Sequence, residues 1–537
     1  MKNLNKFLSV ILITAFIFLL SSCSAKDITG KTINYPLSSD PIQLDPQISS
    51  SYSSKLVLQN IFEGLTRINK NNQVEPGVAA KWDVSPDKLT YTFYLRRDSY
   101  WVDHEAVVYD SVRAKDFVFG ITRALNPDTK SPLVNELYCI KNALSYSKGE
   151  INSSELGIKA PDDYTLIITL ENPCDLPRLV SNSTWFPCNR TFFDSCGGGY
   201  GLEPETLLYN GPFRIRIWDH DKFIRLNYIS QYKGYTVPSP ASIILDMEIT
   251  PETLIDSLNN RFIDASSINY NQFESLTPDS FQKQEFLDTT WALCFNSNDS
   301  FFNASIARQA FTQSIDRSLI DSHIPDGFSF AHTLIPPASS INGKPFRETD
   351  FDENLPTFDT ETAKANLFYI IDQKEIDTLH KIDLICPDDD SIKKALSFLL
   401  KAWQENLGVY INLVPLPLDD LKDKVAESDY SIAFVPVRAD DESPISALAM
   451  FVSDSPANFI AYESELYDDI VNELISAPAS IQNENINTAE KMLLEDSLTY
   501  PLFYEKRLFV YHNKISDIIY KPFDAGVDFI TTGKEDD

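Results

Sequence analysis

A strand–helix–strand pattern late in the chain limits the possible folds more than any other feature of the sequence. Residues 381–385 form a short apolar run, and residues 391–407 carry apolar side chains at helical spacing. Gly408 then supplies a helix stop, and strand-like alternation begins again at once over 409–413. Two parallel strands joined by a right-handed helical crossover account for this order. The sequence therefore predicts an α/β fold.

Strand patterns dominate the first half of the chain. Apolar and polar residues alternate over 89–95 with the period of a half-buried strand, and similar alternation recurs at 165–170, 213–218 and 243–249. An apolar row with a spacing of four residues predicts a helix over 307–319. A chain of 537 residues is too long for one hydrophobic core. We therefore expect more than one domain, built on mixed sheets.

The amino terminus predicts where the protein works. Lys2 and Lys6 precede an uninterrupted apolar run over 7–20, which has the length of a signal-peptide core and is too short for an ordinary membrane span. Small residues then lead to Cys23, as in the lipobox of bacterial lipoproteins. This resemblance implies cleavage before Cys23 and lipid attachment to that residue, and a plain signal peptide is the alternative. We expect a lipid-anchored protein that faces the periplasm or the cell exterior.

The charge of the chain excludes one class of partner. The formal net charge is -31 at pH 7, and no basic stripe interleaved with aromatic residues is present. Such a surface keeps a secreted protein soluble and repels phosphate backbones. The sequence therefore predicts no nucleic-acid partner.

Six cysteines remain once Cys23 is assigned to lipid, and an oxidising compartment permits them to form disulfides. Cys174, Cys188 and Cys196 lie within one irregular segment and are the best placed for one bridge, with buried free thiols as the alternative. No CxxC pair is present, so neither a structural zinc site nor a thioredoxin-type motif is expected. We expect no cofactor and no metal.

Secreted hydrolases are a rival class of protein. The chain has only six histidines, and it contains neither an HExxH metalloprotease motif nor a GxSxG nucleophile elbow. Adjacent acid pairs are frequent, but adjacent carboxylates rarely face each other as glycoside hydrolysis requires. The sequence therefore favours a binding protein over an enzyme.

Several short motifs occur together in a fixed order along the chain. Those in the first part are LDP (44–46), IFEGLTR (61–67), VEPGVAAKWDVS (74–85), KLTYTFYLRRDSYWVD (88–103) and KDFVFGITRALNP (115–127). Those further on include NGPFRIRIWD (210–219), LKAWQENLGVYINL (400–413) and AEKMLLEDSLTYPLFYEKR (489–507). Together they resemble the extracytoplasmic solute-binding proteins of peptide-type ABC importers, family 5, which include oligopeptide- and dipeptide-binding proteins.

This resemblance implies a two-lobed, periplasmic-binding-protein type II-like fold. Hinge strands would run near 291–296 and 501–505, between the lobes, and a small extra domain would be inserted in the first lobe. The implied boundaries are 1–22 for the signal peptide, 23–63, 191–290 and 500–537 for the first lobe, 64–190 for the inserted small α/β domain, and 291–499 for the second lobe.

The resemblance also implies a function. Such a protein captures a peptide by lobe closure and delivers it to the membrane permease subunits of an ABC importer, and we expect it to be a monomer. Fold does not determine the ligand, however. An oligosaccharide, a metal chelate, an opine-like amine or a signalling peptide remains an alternative ligand, and a lipid-anchored sensor or chaperone without a permease is an alternative role.

A closed cleft that holds a peptide must compensate the desolvated ammonium of the ligand with a carboxylate. In peptide-binding relatives, an aspartate four residues before a proline does this, and Asp440, followed by Pro444, matches that position. A solvated loop acid is the alternative for Asp440. The residues that the resemblance places around it are Ala439, Arg438, Val437, Phe434 and Leu418, and several of them are more apolar than is usual in peptide binders.

Three further residues are candidates for ligand contact. Asn269 and Tyr270 match the segment of the first lobe that often contributes backbone and amide contacts, although they are equally suited to cap a strand end. Leu133 would face the cleft from the inserted domain, and ordinary core packing is its alternative.

Overall fold

The structure is a computed structural model that describes residues 31–341, 343–347, 354–376, 381–439, 441–476, 482–523 and 526–535. The predicted signal peptide, Cys23 and Asp440 lie outside the described residues. No helix among the described residues is both long and apolar enough to cross a membrane.

The first sheet has four strands and mixed direction. Its spatial order is Thr32–Pro36, Ser242–Asp246, Phe223–Tyr228 and Phe213–Asp219. The first pair is parallel and the other two pairs are antiparallel. The strand predicted over 243–249 is shorter than expected, since it ends at Asp246 and the chain bends at 247–248. This sheet forms the body of the first lobe.

The second sheet contains two unusually long strands, Phe281–Phe295 and Thr499–His512, which pair antiparallel along most of their length. Ala265–Asn269 and Phe328–Phe330 pair with the second long strand. On the other side the order continues through Ile432–Val437, Ile382–Pro387 and Ile411–Leu416. The last three strands belong to the second lobe.

The strand–helix–strand prediction is confirmed. Ile382–Pro387 pairs parallel with Ile411–Leu416, and the helix Asp390–Leu407 connects them. Gly408 ends the helix at a φ of 73°, in the left-handed region that glycine adopts without steric cost. The helix predicted over 307–319 is shorter than expected. Its α-helical part, Ser305–Gln313, is followed by a separate 3₁₀ helix, Arg317–His323, capped by the Asp316 side chain.

A third, antiparallel sheet lies in the segment predicted as the inserted domain. Its order is Ala79–Val84, Thr90–Leu95, Thr165–Thr169 and Ile158–Asp162. The helix Ala114–Leu125 packs against it. One hydrophobic cluster runs without a break from this region into the first sheet, so the segment shares its core with the first lobe. The exact domain boundaries stay a prediction.

Shorter elements complete the two lobes. The paired short strands are Thr66–Ile68 with Val74–Pro76, Tyr100–Val102 with Val108–Ser111, Ser340–Ile341 with Lys344–Pro345, Ile515–Ser516 with Gly533–Lys534, and Ile519–Lys521 with Gly526–Asp528. The remaining α-helices are Tyr52–Ile61, Ala143–Ser147, Leu176–Leu179, Arg190–Ser195, Leu254–Asn259, Tyr270–Phe273, Thr360–Gln373, Leu418–Ala426, Pro444–Ala449, Glu465–Ser476 and Gln482–Glu495.

A buried charge network ties three distant parts of the first lobe together. The carboxylate of Glu63 is fully buried and accepts hydrogen bonds from Arg96, at 2.8 Å, and from the hydroxyl of Tyr232. Arg67 lies 3.9 Å from Glu63 and forms an ion pair of 2.5 Å with Asp528, near the carboxyl terminus. Because each charge is compensated inside the protein, the network holds the terminal segment against the rest of the lobe.

Candidate functional site

The two long strands connect the lobes and define the hinge. One end of the pair lies beside Ala265–Asn269 and contributes Phe509 to the core of the first lobe. The other end lies beside Ile432–Val437 in the second lobe. The pairing shifts register between Phe286 and Thr289, a bulge that locally bends the ribbon. The hinge strands predicted near 291–296 and 501–505 lie within this ribbon.

Asp288 lies in that bulge and organises a charged cluster at the hinge. Its carboxylate is fully buried and accepts a hydrogen bond of 2.8 Å from Arg507. Arg438 lies 3.2 Å from the same oxygen and donates a hydrogen bond of 2.6 Å to the carbonyl of Pro522. Arg438 follows the last strand of the second lobe, whereas Pro522 belongs to the predicted final part of the first lobe. This cluster, which we call the hinge cluster, therefore joins segments that are predicted to belong to different lobes.

A second group of contacts joins the predicted inserted domain to the predicted second lobe. The guanidinium of Arg178, in the short helix Leu176–Leu179, lies 3.3 Å from a carboxylate oxygen of Glu442 and donates hydrogen bonds of 3.0 and 2.6 Å to Asn72. The Asn72 amide in turn donates to the carbonyl of Gly343, at 3.3 Å. Arg178 and Asn72 come from the predicted inserted domain, and Glu442 and Gly343 from the second lobe. We call this group the clasp.

The clasp carries partly buried charges. The Arg178 side chain is 16% exposed and that of Glu442 36% exposed, so the pair is shielded from solvent more than a typical surface ion pair. Glu442 is also held by its backbone, since its carbonyl accepts a hydrogen bond of 2.7 Å from the amide of Ser340. The clasp therefore stabilises the arrangement in which the inserted segment meets the second lobe.

The predicted residues around Asp440 occupy different environments. Val437 is buried opposite Thr290 on the hinge strand, and Ala439 is also buried. Phe434 is fully buried in the core of the second lobe, where its ring lies 5.4 Å from that of Trp291. Leu418 is half-exposed at the start of its helix. Their proposed contacts with a ligand stay predictions.

Asn269 and Tyr270, the candidates from the first lobe, lie at the end of a strand and at the start of the helix that follows it. Asn269 lies opposite Arg507 in the strand register and caps the helix Tyr270–Phe273 by accepting a hydrogen bond from the amide of Gln272. The ring of Tyr270 lies 5.6 Å from the ammonium of Lys506. Asn269 thus adjoins the hinge cluster through Arg507, which contacts the same carboxylate as Arg438.

Leu133 lies apart from the hinge cluster, at the start of the 3₁₀ helix Val134–Leu137. It is 6% exposed, and its amide donates a hydrogen bond to the hydroxyl of Ser131. Its predicted contact with a ligand stays a prediction.

Sequence reasoning missed Asp288, Arg178 and Glu442. The chain has 77 acidic residues, and nothing in the local pattern around Asp288 separates it from the others. Glu442 is close to Asp440 in sequence, but its partner Arg178 precedes it by more than two hundred residues. These contacts are therefore not visible in any local window of the sequence.

A sequence model of the bacterial extracellular solute-binding proteins, family 5 (middle region), matches residues 73–459. The chain belongs to this family. Among family 5 relatives, the dipeptide-binding protein DppE of Bacillus subtilis is 25% identical over 97% of this chain and 98% of its own length. The probable deoxycholate-binding periplasmic protein YgiS of Escherichia coli is 26% identical over 88% of both chains.

Solved structures agree with the family 5 assignment. The substrate-binding domain of an oligopeptide ABC transporter from Bacillus anthracis is 27% identical, with a TM-score of 0.70 over 95% of this chain and 99% of that one. The predicted two-lobed α/β fold with mixed sheets is thereby confirmed. Relatives and structural neighbours are substrate-binding proteins, so this protein is an extracellular solute-binding protein and not an enzyme.

Proposed function

We propose that this protein captures peptides outside the cytoplasm by closing its lobes over them, and delivers them to the permease subunits of an ABC importer. The observation that carries the proposal is the pair of contact groups between the predicted lobes, the hinge cluster and the clasp, together with the continuous two-stranded hinge. The peptide-binding names of relatives such as DppE support the choice of ligand.

The chemistry of the ligand follows from what a closed cleft must compensate. The ammonium of a peptide loses its water on closure and needs a carboxylate close by. We assign this role to Asp440, which lies in sequence between Arg438 of the hinge cluster and Glu442 of the clasp. Lipid attachment at Cys23 would keep the protein at the membrane surface, within reach of its permease.

An apolar or otherwise non-peptide ligand is the second candidate. It is supported by the similarity to YgiS, whose name gives deoxycholate as its probable ligand, and by the apolar Val437 and Leu418 in the segments predicted to line the cleft. An oligosaccharide, a metal chelate, an opine-like amine and a purely sensory role remain further alternatives from the sequence.

Mass spectrometry of the small molecules released from the purified protein by mild denaturation distinguishes these ligands. We expect a set of short peptides of mixed sequence, absent from a sample that was unfolded, dialysed and refolded before the measurement. Release of a single steroid acid, a sugar or a metal complex would contradict the proposal that the ligand is a peptide. Added synthetic peptides should also raise the melting temperature as their concentration exceeds the dissociation constant.

The clasp predicts a kinetic effect. Arg178→Ala is expected to weaken peptide affinity by about 0.5–1 kcal/mol, two- to five-fold in Kd, because we assign the Arg178–Glu442 pair to the closed state. The loss should lie in faster dissociation with little change in association, measured by stopped-flow fluorescence.

Arg190→Ala is the matched control for the clasp. Arg190 forms an exposed ion pair of 3.6 Å with Asp194 within its own helix, so its removal should alter neither rate. Unchanged dissociation from the Arg178→Ala variant, or equal changes in both variants, would contradict the assigned role.

A further inference from the structure

Cys139 and Cys174 lie close together in the predicted inserted domain, packed against one hydrophobic cluster. The backbone amide of Glu171 donates a hydrogen bond of 2.8 Å to the carbonyl of Cys139, and Ile140 forms a β-bridge with Leu170. These contacts bring the start and the end of the segment 140–173 side by side. Cys174 follows three residues after Glu171, so the backbone pairing carries it back toward Cys139.

A contact with the third sheet also fixes the position of Cys174. Its carbonyl accepts a hydrogen bond of 3.2 Å from the hydroxyl of Tyr91, which lies on the third sheet. Both cysteines are partly buried against the same hydrophobic cluster. Contact with Cys174 and burial raise the pKa of the Cys139 thiol. The backbone pairing, the Tyr91 contact and the shared hydrophobic cluster therefore hold the two cysteines close together.

The other cysteines have different surroundings. The thiol of Cys196 points to the carbonyls of Phe192, at 3.3 Å, and Thr206, at 3.8 Å, within its own irregular segment. Cys188 is buried, and burial raises its pKa to about 12. The sequence favoured a bridge among Cys174, Cys188 and Cys196, whereas the structure places Cys174 beside Cys139.

We propose that Cys139 and Cys174 form a disulfide in the mature extracellular protein. Each thiol loses its proton and the pair gives two electrons to the disulfide of an extracytoplasmic thiol oxidant. An S–S bond forms between the two cysteines through a mixed disulfide, and the oxidant leaves as a dithiol that carries the two protons. The bridge closes a loop over residues 140–173 and restrains the unfolded chain.

The bridge also bears on the proposed clasp, although it does not depend on ligand binding. Asp175, the next residue, begins the short helix Leu176–Leu179, which carries Arg178. A covalent link at Cys174 therefore anchors the segment that presents the clasp arginine to the second lobe. A failure of peptide binding would leave the disulfide proposal standing, and the reverse also holds.

Non-reducing peptide mapping tests the bridge directly. The full chain is recovered from outside the cytoplasm of a bacterial host, quenched with acid and labelled with a maleimide after denaturation. We expect Cys139 and Cys174 to appear in one linked peptide pair that becomes labelled only after reduction. Maleimide on both residues before reduction, or a link from either one to Cys188 or Cys196, would overturn the proposal.

Thermal unfolding supplies an independent readout. Cys139→Ser and Cys174→Ser should each lower the melting temperature by about 3–8 °C, and the double variant by no more than either single one, because all three lose the same bridge. Reductant should lower the melting temperature of the wild type but not of the double variant. Cys196→Ser is the control, and reductant should still lower the melting temperature of this variant. Additive effects of the single variants, or a wild type insensitive to reductant, would count against the bridge.

Discussion

Asp440→Ala is expected to weaken the binding of a peptide with a free amino terminus by roughly 3–5 kcal/mol, as measured by isothermal titration calorimetry. The physical reason is that a desolvated ammonium without its carboxylate keeps the full cost of leaving water. A peptide of the same sequence with an acetylated amino terminus has no such charge. Its affinity should therefore be nearly unchanged by the substitution.

Asp441→Ala is the matched control for this prediction. Asp441 is the adjacent acid, and its carboxylate accepts hydrogen bonds of 2.8 Å from the amide of Ser443 and from the hydroxyl of Ser446. It thus stabilises the start of the helix Pro444–Ala449, so its loss should lower stability slightly and leave affinity unchanged. Equal losses for the free and the acetylated peptide, or equal losses in the two variants, would remove the role assigned to Asp440.

Glu63→Ala is expected to lower the free energy of unfolding by about 3–5 kcal/mol, because it removes the buried carboxylate that Arg96 contacts at 2.8 Å and leaves Arg67 with Asp528 alone. Burial raises the pKa of Glu63, while the charges of Arg96 and Arg67 oppose the shift. The Arg96 side chain is 7% exposed and that of Arg67 4% exposed, so water cannot replace the lost partner without opening the lobe. Denaturant titration followed by circular dichroism measures the change.

Glu105→Ala is the control for Glu63→Ala, because it removes an acidic side chain that is exposed instead of buried. Glu105 is exposed and lies 3.6 Å from Arg216, which is exposed as well, so its removal should change stability by less than about 0.5 kcal/mol. A loss below 1 kcal/mol for Glu63→Ala, or a similar loss for both variants, would show that the network contributes little to the fold.

Local patterns were sufficient for the individual elements. The apolar run at 381–385, the helical spacing over 391–407 and the stop at Gly408 each depend on residues close together in the chain, and the parallel pair forms as predicted. The helix predicted over 307–319 shows the limit of such patterns. Its apolar row continues, but Asp316 accepts a hydrogen bond from the amide of Ser318 and begins a new 3₁₀ turn.

The order of motifs along the chain was sufficient for the family and its two-lobed fold, because a series of weak matches in register is specific even when each one is not. The order of motifs also predicted that the segment after Ile432–Val437 contributes to the ligand site. It did not separate ligand-facing residues from core residues there. Phe434, a candidate from the motif register, lies fully buried against Trp291.

The sequence by itself determined the α/β class, the family and the extracellular solute-binding role, since each depends on short-range periodicity or on motif order. Only the tertiary structure decided that Arg178 meets Glu442, that Asp288 holds both Arg438 and Arg507, and that the segment before Cys174 pairs with Cys139. Each of these contacts joins residues that are far apart in the chain. Their proximity depends on how whole sheets and lobes pack, and no local pattern encodes that packing.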